Sequence, residues 1–392
     1  MSNHLHIVSF NVPWPADYGG VIDVFYRLKA LHEAGVKIHL HCFAYGREEA
    51  PLLNDYCEEV FYYRRDMSPL RFLDRRPFIV SSRDSKELRR RLLQDRHPIL
   101  LEGLHCCALL EDEELVKGRE VFVRAHNVES DYYARLAKSE RHFWRRQYLR
   151  LDAARIRRYE PVLKRATAVL AISQGDKEKL EQMGCRKVLL VTAGHPFSSF
   201  NIQHSSFNIQ HSSLLTPHSS LLTHHSYALY HGNLSVAENY ESVCYLLDHV
   251  FYDGRHPLVV AGNEPPAWLR MKIEHTPGAS LVASPDDATL QRLVAEAQVN
   301  ILVTHQPTGL KLKLLHALFE GRHCLVNSDM VAGTGLAPLC EVADTPETMR
   351  EQLDRLMALP FDEAQLDARR AALQPYLTAN ALQPFLLIIH NS

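Results

Sequence analysis

Short apolar segments alternate with segments of helical periodicity along most of this chain. Leu5–Phe10 is apolar and contains β-branched residues, which predicts a buried strand. The apolar period then changes to that of a helix, and one helical face carries Val21, Val24, Phe25, Leu28 and Leu31. Val36–Phe43 predicts the next strand. The chain therefore opens with the strand, crossover helix and strand of a doubly wound parallel sheet.

The same alternation runs through both halves of the chain. In the first half we predict helices at Lys86–Leu93, Ser139–Arg165 and Gln174–Met183, and strands at Pro98–Leu101, Arg119–Val123, Ala168–Ile172 and Lys187–Val191. In the second half we predict helices at Glu238–His249, Leu290–Ala297, Gly309–Glu320 and Thr345–Leu359, and strands at Ala228–His231, Pro257–Ala261, Ser280–Ala283, Asn300–Val303 and Cys324–Asn327. This order predicts an α/β protein with two Rossmann-like domains that face each other across a cleft.

A segment without charge separates the two halves. No Asp, Glu, Lys or Arg occurs from Val188 to Ala237, and residues 197–224 form a tandem repeat rich in His and Ser. This composition predicts a low-complexity linker. The repeat's histidines have metal-binding chemistry, but their regular spacing follows from the repeat itself. We therefore predict domains at 1–193 and 227–375, a linker at 194–226 and an apolar tail without clear periodicity at 376–392.

The bulk composition excludes several classes of protein. A length of 392 residues favours two domains, and a net charge of −2 does not indicate a nucleic-acid partner. The eight cysteines lack zinc-site spacing, which favours reduced, buried thiols. No signal peptide is expected at Met1–Phe10, and no window approaches the roughly 18 apolar residues of a membrane span. We expect a cytoplasmic protein whose membrane contact, if any, is peripheral.

Ligands of open α/β sheets bind at loops beyond the carboxyl ends of the strands. Gly19-Gly20 occupies such a loop and is either a ligand-binding turn or a plain tight turn. Asp17, just before it, is a catalytic candidate or an ordinary turn residue. Gly232-Asn233 and Gly262-Asn263 begin two strand-to-helix junctions of the second half, where a donor molecule would bind.

A fourth loop, Thr308-Gly309, leads into an apolar helix with a few polar residues. Lys311 falls in the predicted first turn, where the helix dipole disfavours a cation unless an anion is bound. Lys313, His316 and Glu320 form one polar stripe. The stripe is either part of an anion site or a Lys–Glu surface ladder.

His126-Asn127 ends a strand of the first half, beside Arg124. His126 is a catalytic candidate or a structural histidine, and Arg124 and Asn127 are candidates for substrate binding. No metal-ligand set is predicted here.

Five segments, taken in order, resemble the GT-B glycosyltransferases of the family 4 type. They are residues 13–43, 123–133 (VRAHNVESDYY), 159–173, 228–239 (ALYHGNLSVAEN) and 308–327 (TGLKLKLLHALFEGRHCLVN). The resemblance implies that Gly19 and Gly20 line the cleft, that His126 contacts the transferred sugar, and that Lys311 or Lys313 contacts the donor diphosphate.

The chain also departs from this family. His316 stands where the family commonly has a ribose-binding Glu, and the basic residues that often follow the first glycine of the second domain are absent after Gly232. The repeat at 197–224 and the tail at 376–392 are unlike the family's short linker and final helix.

The resemblance implies transfer of a sugar from a nucleoside diphosphate sugar to a hydroxyl of a glycan or glycolipid, as in polysaccharide biosynthesis. It implies retention of configuration and no metal or other cofactor, and the chain has no Asp-x-Asp motif. Two alternatives are a non-catalytic nucleotide-sugar-binding protein and a sugar-nucleotide epimerase, for which we find no acid/base carboxylates.

Residues 138–165 carry ten Lys or Arg against three acids, with aromatic residues among them. This pattern is typical of a helix that lies on an anionic membrane, or of a solvated basic face. The resemblance implies a nucleotide sugar and a glycan or lipid-linked acceptor as partners, and the basic segment leads us to expect peripheral contact with the inner face of a membrane.

Overall fold

The computed structural model describes residues 3–140, 142–195, 226–305 and 311–390. The described chain divides into two units, each built on one parallel sheet. The first unit contains the residues up to His195 and those from Pro375 onwards, and the second contains the residues between them.

The first unit has seven parallel strands in the order β3-β2-β1-β4-β5-β6-β7. The strands are β1 His4–Ser9, β2 Lys37–Ala44, β3 Glu59–Arg64, β4 Ile99–Glu102, β5 Val121–Ala125, β6 Ala168–Ala171 and β7 Val188–Leu190. The helices are α1 Gly19–Glu33, α2 Phe78–Ser81, α3 Lys86–Leu92, α4 Glu113–Val116, α5 Glu129–Ser139, α6 Phe143–Tyr159 and α7 Gln174–Gln182. The predicted apolar face of helix α1 is buried, because its side chains, among them Phe25 and Leu28, pack on the sheet.

The helix predicted at 139–165 is wrong in extent. Helix α5 ends at Ser139, because the backbone at Glu140 is extended, and α6 starts only at Phe143. Pro161 lies in a 3₁₀ turn at Glu160–Arg165, since proline removes a helical hydrogen bond.

The second unit has six parallel strands in the order β10-β9-β8-β11-β12-β13. The strands are β8 Ala228–His231, β9 Leu258–Gly262, β10 Ala279–Ala283, β11 Val299–Leu302, β12 His323–Val326 and β13 Glu341–Val342. The helices are α8 Ala237–Tyr245, α9 Ala267–His275, α10 Asp287–Glu296, α11 Leu312–Glu320, α12 Ser328–Val331, α13 Pro346–Ala358 and α14 Glu363–Leu373.

The apolar tail forms a final helix, α15 Thr378–His390, although its sequence shows no clear periodicity. Leu382 and Phe385 are buried in the core of the first unit, and the Phe385 ring lies 5.2 Å from that of Phe122. The expected departure from the family's final helix is therefore wrong. The repeat at 197–224 lies outside the described residues, and its role as a linker stays a prediction.

Candidate functional site

Five charged or ionisable side chains meet at the carboxyl edge of the first sheet. Asp23 and Arg27 come from α1, Glu102 ends β4, Arg124 lies in β5 and His126 follows it. Strands β4 and β5 are neighbours, so their ends bring Glu102 and His126 together. All five side chains are buried or nearly so.

Both ring nitrogens of His126 face carboxylates. Nε2 lies 3.0 Å from Oε2 of Glu102, and Nδ1 lies 3.3 Å from Oδ2 of Asp23. Asp23 also accepts hydrogen bonds from Arg27 Nη2 at 2.5 Å and Arg124 Nε at 3.0 Å. The imidazole is thereby held from two sides, which fixes its orientation.

The two carboxylates of this cluster are balanced by two guanidinium groups. Burial acts to raise the pKa of Asp23, but the charges of Arg124 and Arg27 outweigh it and hold that pKa well below its ordinary value. Asp23, Glu102 and His126 place ligand atoms within 4.8 Å of one another, as a metal site requires. The neighbouring arginines disfavour a cation there, because they already supply the positive charge.

Arg124 was a candidate for substrate binding, but its side chain is completely buried. Besides Asp23 it donates hydrogen bonds to the carbonyl oxygens of Val191 and Thr192. These contacts favour a role in holding the end of β7 instead of the predicted substrate contact. Asn127 is half-buried beside His126, and its predicted role stays a prediction.

The Gly19-Gly20 pair begins α1, and its two glycines have different surroundings. A Cβ at Gly20 would lie 2.9 Å from the Phe10 ring, whereas nothing lies within 4 Å of a Cβ at Gly19. The Phe10 ring also packs against the rings of His126 and His105, with centroids 5.5 and 5.4 Å away. The glycine loop and His126 therefore belong to one site, and Gly19 borders open space.

Asp17, the second catalytic candidate, is exposed and forms an ion pair with Arg47. The Arg47 guanidinium also lies over the Tyr18 ring. The ion pair positions the loop in front of α1, and the predicted catalytic role stays a prediction.

Sequence reasoning missed Asp23 and Glu102, which hold His126. Two weak signals were available: a carboxylate interrupts the apolar start of α1, and another ends the otherwise apolar strand β4. Neither signal shows a partner until the strand order is known.

In the second unit, two lysines lie at the start of a helix as predicted, but the helix begins after Lys311 and not before it. Helix α11 begins at Leu312, so Lys311 is its N-cap residue and not part of its first turn. Among the residues that the structure describes, no side chain caps the helix, and its first turn contains no acid. The Lys311 ammonium lies 4.0 Å from Glu238. Thr308 and Gly309 lie outside the described residues.

Lys313 reaches from α11 to β8 and α8. Its ammonium donates to the Tyr230 hydroxyl at 3.2 Å and to Oδ1 of Asn239 at 3.0 Å. Burial lowers the pKa of Lys313 to about 8, and the more distant Glu238 opposes this only in part. Lys313 therefore carries a partly desolvated positive charge without a carboxylate in direct contact, which disagrees with a Lys–Glu surface ladder.

His316 pairs with the buried Glu320 instead of leaving that carboxylate to a lysine. Its Nε2 lies 3.0 Å from Oε2 of Glu320, whose other oxygen accepts a hydrogen bond from Gln291 at 2.7 Å. The His231 ring lies 5.2 Å from the His316 ring, and its buried Nε2 has no hydrogen-bond partner among the described residues. The carboxylate of Glu320, one helical turn after His316, thus orients the His316 ring.

The glycine-asparagine pairs of the second unit have structural explanations. A Cβ at Gly262 would lie 1.9 Å from the carbonyl oxygen of Gly232, so the two loops pack with no room for a side chain. Asn233 accepts hydrogen bonds from the amide and hydroxyl of Ser235, and the Asn263 carbonyl accepts one from the Leu234 amide. Donor contacts of these four residues stay predictions.

The comparisons with known proteins agree with this architecture. No family model matches the chain. The chain is 23% identical over 361 residues to an uncharacterized 44.6 kDa protein in the cps region of Klebsiella pneumoniae, and the match covers 84% of each.

Solved glycosyltransferase structures match nearly the whole chain. They include the lipopolysaccharide outer core galactosyltransferase WaaB (TM-score 0.63, 14% identity, 99% of both chains). Anabaena HepE in complex with UDP and glucose has a TM-score of 0.65 at 12% identity, over 99% of this chain and 100% of HepE. A Rickettsia africae glycosyltransferase has a TM-score of 0.62 at 12% identity, over 99% and 97% of the two chains. The predicted GT-B fold is therefore confirmed.

Proposed function

We propose that this chain, which has the GT-B fold, transfers a sugar from a nucleoside diphosphate sugar to a hydroxyl of a glycan or glycolipid. The start of α11 carries this proposal. This helix N-terminus, which no side chain of the described residues caps, has Lys311 and Lys313 beside it. It is suited to a diphosphate, because backbone N–H groups and ammonium groups both favour negative charge. HepE, of the same fold, has been solved in complex with UDP-glucose.

Breaking the glycosidic bond builds negative charge on the leaving diphosphate. Fixed cations in a partly desolvated site stabilise such charge more strongly than water does. Lys313 meets this need, since burial desolvates its ammonium and two neutral oxygens hold it in place. The proposal therefore needs no metal or other cofactor, and retention of configuration enters it from the family resemblance alone.

His126 is proposed to line the sugar site of the first unit. Its ring nitrogens are engaged by Glu102 and Asp23, so it contributes by position and not as a free general base. Replacing His126 with Ala is expected to lower turnover by a larger factor than it weakens donor binding. Equal losses in both would indicate a structural role only.

A thermal-shift screen of UDP-, GDP-, ADP- and dTDP-sugars tests the donor. A ligand at about 100 times its Kd should stabilise the protein by about 2.7 kcal/mol. Lys313→Gln should abolish this stabilisation. Lys272→Gln, which removes a surface lysine paired with Asp248, is the matched control and should retain it.

Release of the nucleoside diphosphate from the stabilising sugar nucleotide tests catalysis. Turnover with an added glycan or lipid-linked acceptor would support the enzyme. Binding without any turnover would favour the non-catalytic alternative, and the absence of binding would contradict the proposal.

Peripheral membrane contact is the second part of the proposal. Helix α6 contains six arginines and one acid, and it exposes Trp144, which is 82% accessible, and Leu151. The turn Pro69–Leu73 exposes Leu70 and Leu73, and its Phe72 ring lies 6.1 Å from Tyr148 of α6. Basic and apolar groups together favour an anionic bilayer surface.

Co-sedimentation with anionic vesicles at low and high salt tests this contact. We expect binding at low salt that is weaker at high salt, and weaker again in Trp144→Ser. A protein that stays in the supernatant at low salt would exclude the membrane and favour a water-soluble acceptor. Among the described helices, none has the length and apolar character needed to cross a bilayer.

A further inference from the structure

Two arginines of the first unit, Arg65 and Arg83, have charges that no acid balances. Arg65 directly follows β3, and Arg83 follows α2. Within the described part of the chain, neither guanidinium has a carboxylate at ion-pair distance, whereas nearby Arg71 has one and Arg76 has three. A buried or half-buried cation without a counter-charge costs free energy, so the pair requires an explanation.

Arg83 is buried and held by backbone oxygens. Its Nε donates to the carbonyl of Phe10 at 2.9 Å, and its Nη1 donates to the carbonyl of Ile79 at 2.7 Å. These two contacts fix the guanidinium at the end of β1 and leave Nη2 without a protein partner in the described residues.

Arg65 is half-buried and held mainly by aromatic rings. Its guanidinium lies 4.8 Å from the centroid of Tyr45 and 5.2 Å from that of Phe78, and its Nε donates to Oγ of Ser82 at 2.9 Å. Aromatic faces and a hydroxyl orient the group without neutralising it.

The electrostatic environment keeps both charges uncompensated. Burial, and then the charge of Arg65, lower the pKa of Arg83 to about 10. The charge of Arg83 acts to lower the pKa of the buried Glu129, but burial, and then Glu160, outweigh it and raise that pKa to about 8, which favours the neutral acid. Asp66, next to Arg65 in the chain, is taken up by Arg71.

The two arginines adjoin the site around His126. Phe10, whose carbonyl binds Arg83, packs its ring against His126 and beside Gly20. The His105 ring packs against the same Phe10 ring, with centroids 5.4 Å apart. Burial, then the charges of Arg83 and His126, lower its pKa well below the ordinary value, and its buried Nδ1 has no partner among the described residues.

We propose that Arg65 and Arg83 form a subsite for an oxyanion, a phosphate or a carboxylate, carried by the acceptor. Guanidinium groups bind both anions with paired, charge-assisted hydrogen bonds. The subsite itself rests on the contacts above. Its assignment to the acceptor rests on the proposed function, because the donor diphosphate is placed at α11 in the second unit.

Calorimetric titration of the full chain with inorganic phosphate, glucuronate and neutral methyl glucoside tests the subsite. Arg65→Gln is the main variant, since Arg65 is only half-buried and its replacement disturbs packing less. Arg83→Lys keeps the positive charge but removes the paired N–H donors of the guanidinium. Arg89→Gln is the matched control, because Arg89 is paired with Asp112 on the surface. Lys313→Gln removes the anion site expected in the second unit. Circular dichroism establishes that each variant is folded.

We expect at least one anion to bind and methyl glucoside not to bind. Affinity should fall by about tenfold or more in Arg65→Gln, as for the loss of a charge-assisted contact, and should be unchanged in Arg89→Gln. The Arg65-dependent binding should persist in Lys313→Gln. Binding of phosphate alone indicates a phosphorylated acceptor, and binding of glucuronate alone indicates an acidic sugar.

Equal affinity in wild type and folded Arg65→Gln would overturn the subsite, as would binding of neither anion. Affinity for the stabilising nucleotide sugar, measured on the same variants, separates the two proposals. A loss in Lys313→Gln but not in Arg65→Gln supports the acceptor assignment. An equal loss in Arg65→Gln would assign the anion to the donor, and anion binding without any nucleotide-sugar binding would contradict the proposed function alone.

Discussion

A buried row of hydrogen-bonded side chains makes the stability of the first unit depend on pH. His6 of β1 and His41 of β2 place ring nitrogens 2.9 Å apart. Nε2 of His6 lies 3.0 Å from the Asp95 carboxylate, and Nδ1 of His41 lies 2.8 Å from the Tyr63 hydroxyl. Since a carboxylate only accepts, His6 donates from Nε2 and accepts at Nδ1 from His41. The row is complete when both rings are neutral.

The magnitude follows from the pKa of His6. Burial lowers that pKa from 6.5 to about 4, although Asp95 opposes the change. The folded-state pKa lies below the unfolded value, so stability is complete above pH 6.5 and falls as pH decreases toward 4. At about 1.4 kcal/mol per pH unit, His6 accounts for about 3 kcal/mol over this window and about 2 kcal/mol between pH 6.5 and 5. Burial also lowers the pKa of His41, which adds to the loss.

Urea unfolding between pH 7 and 5 measures this effect. Trp268 is the tryptophan of the second unit, so Trp268→Phe leaves Trp14 and Trp144 to report on the first. In this background, His6→Gln keeps a polar side chain that does not titrate. The change in the free energy of unfolding from pH 7 to 5 should differ by about 2 kcal/mol between the two proteins, with the parent losing more stability than His6→Gln, because other groups such as Glu129 titrate equally in both.

His256→Gln is the control, because His256 pairs with Asp354 on the second unit. It should leave the pH dependence of the first unit unchanged. A His6→Gln variant whose free energy of unfolding changes with pH as much as that of the parent would refute this reasoning.

Four further predictions concern three glycines and the repeat. Gly20→Ala should lower stability by about 1–3 kcal/mol in urea unfolding, because its Cβ would clash with Phe10, and an unchanged midpoint would contradict this packing. Gly19→Ala has free space and should keep its Tm while lowering turnover, whereas full activity would remove Gly19 from the site. Gly262→Ala should destabilise the second unit by about 3 kcal/mol or more, since its Cβ meets a backbone oxygen, and a wild-type melting curve would show that the loops can separate. Replacing 197–224 by a Gly/Ser segment of equal length should leave Tm and turnover nearly unchanged, and a large loss of Tm would show that the repeat packs.

Local pattern predicted most elements of both sheets. Strand β8 has the bounds that its apolar run predicts, and α3 differs from its prediction by one residue. The pattern failed where local preference was ambiguous. Strand β3 was not identified, and the helix at 139–165 proved to be divided. Helix α15 was not recognised because the exposed, apolar Leu387 interrupts the packed series of Leu382, Phe385, Leu386 and Ile389.

Only some of the candidate site residues could be identified from the sequence. Lys311, Lys313 and the Gly19-Gly20 pair could be located because each adjoins the end of a strand and the start of a helix. His126 could be located for the same reason. The order of strands and helices along the chain was sufficient for these, since the carboxyl ends of parallel strands share one edge.

What the sequence by itself determined is the α/β class, the two halves and the loops that carry the chemistry. The alternation of apolar periods states which face of each element is buried, and this is local information. The tertiary structure decided the rest. Asp23 lies 101 positions from Arg124, and Glu102 lies 24 positions from His126. Buried charges are balanced in that cluster and unbalanced at Arg65 and Arg83. The difference depends on which strands are neighbours, and the strand order is established only when the whole sheet packs.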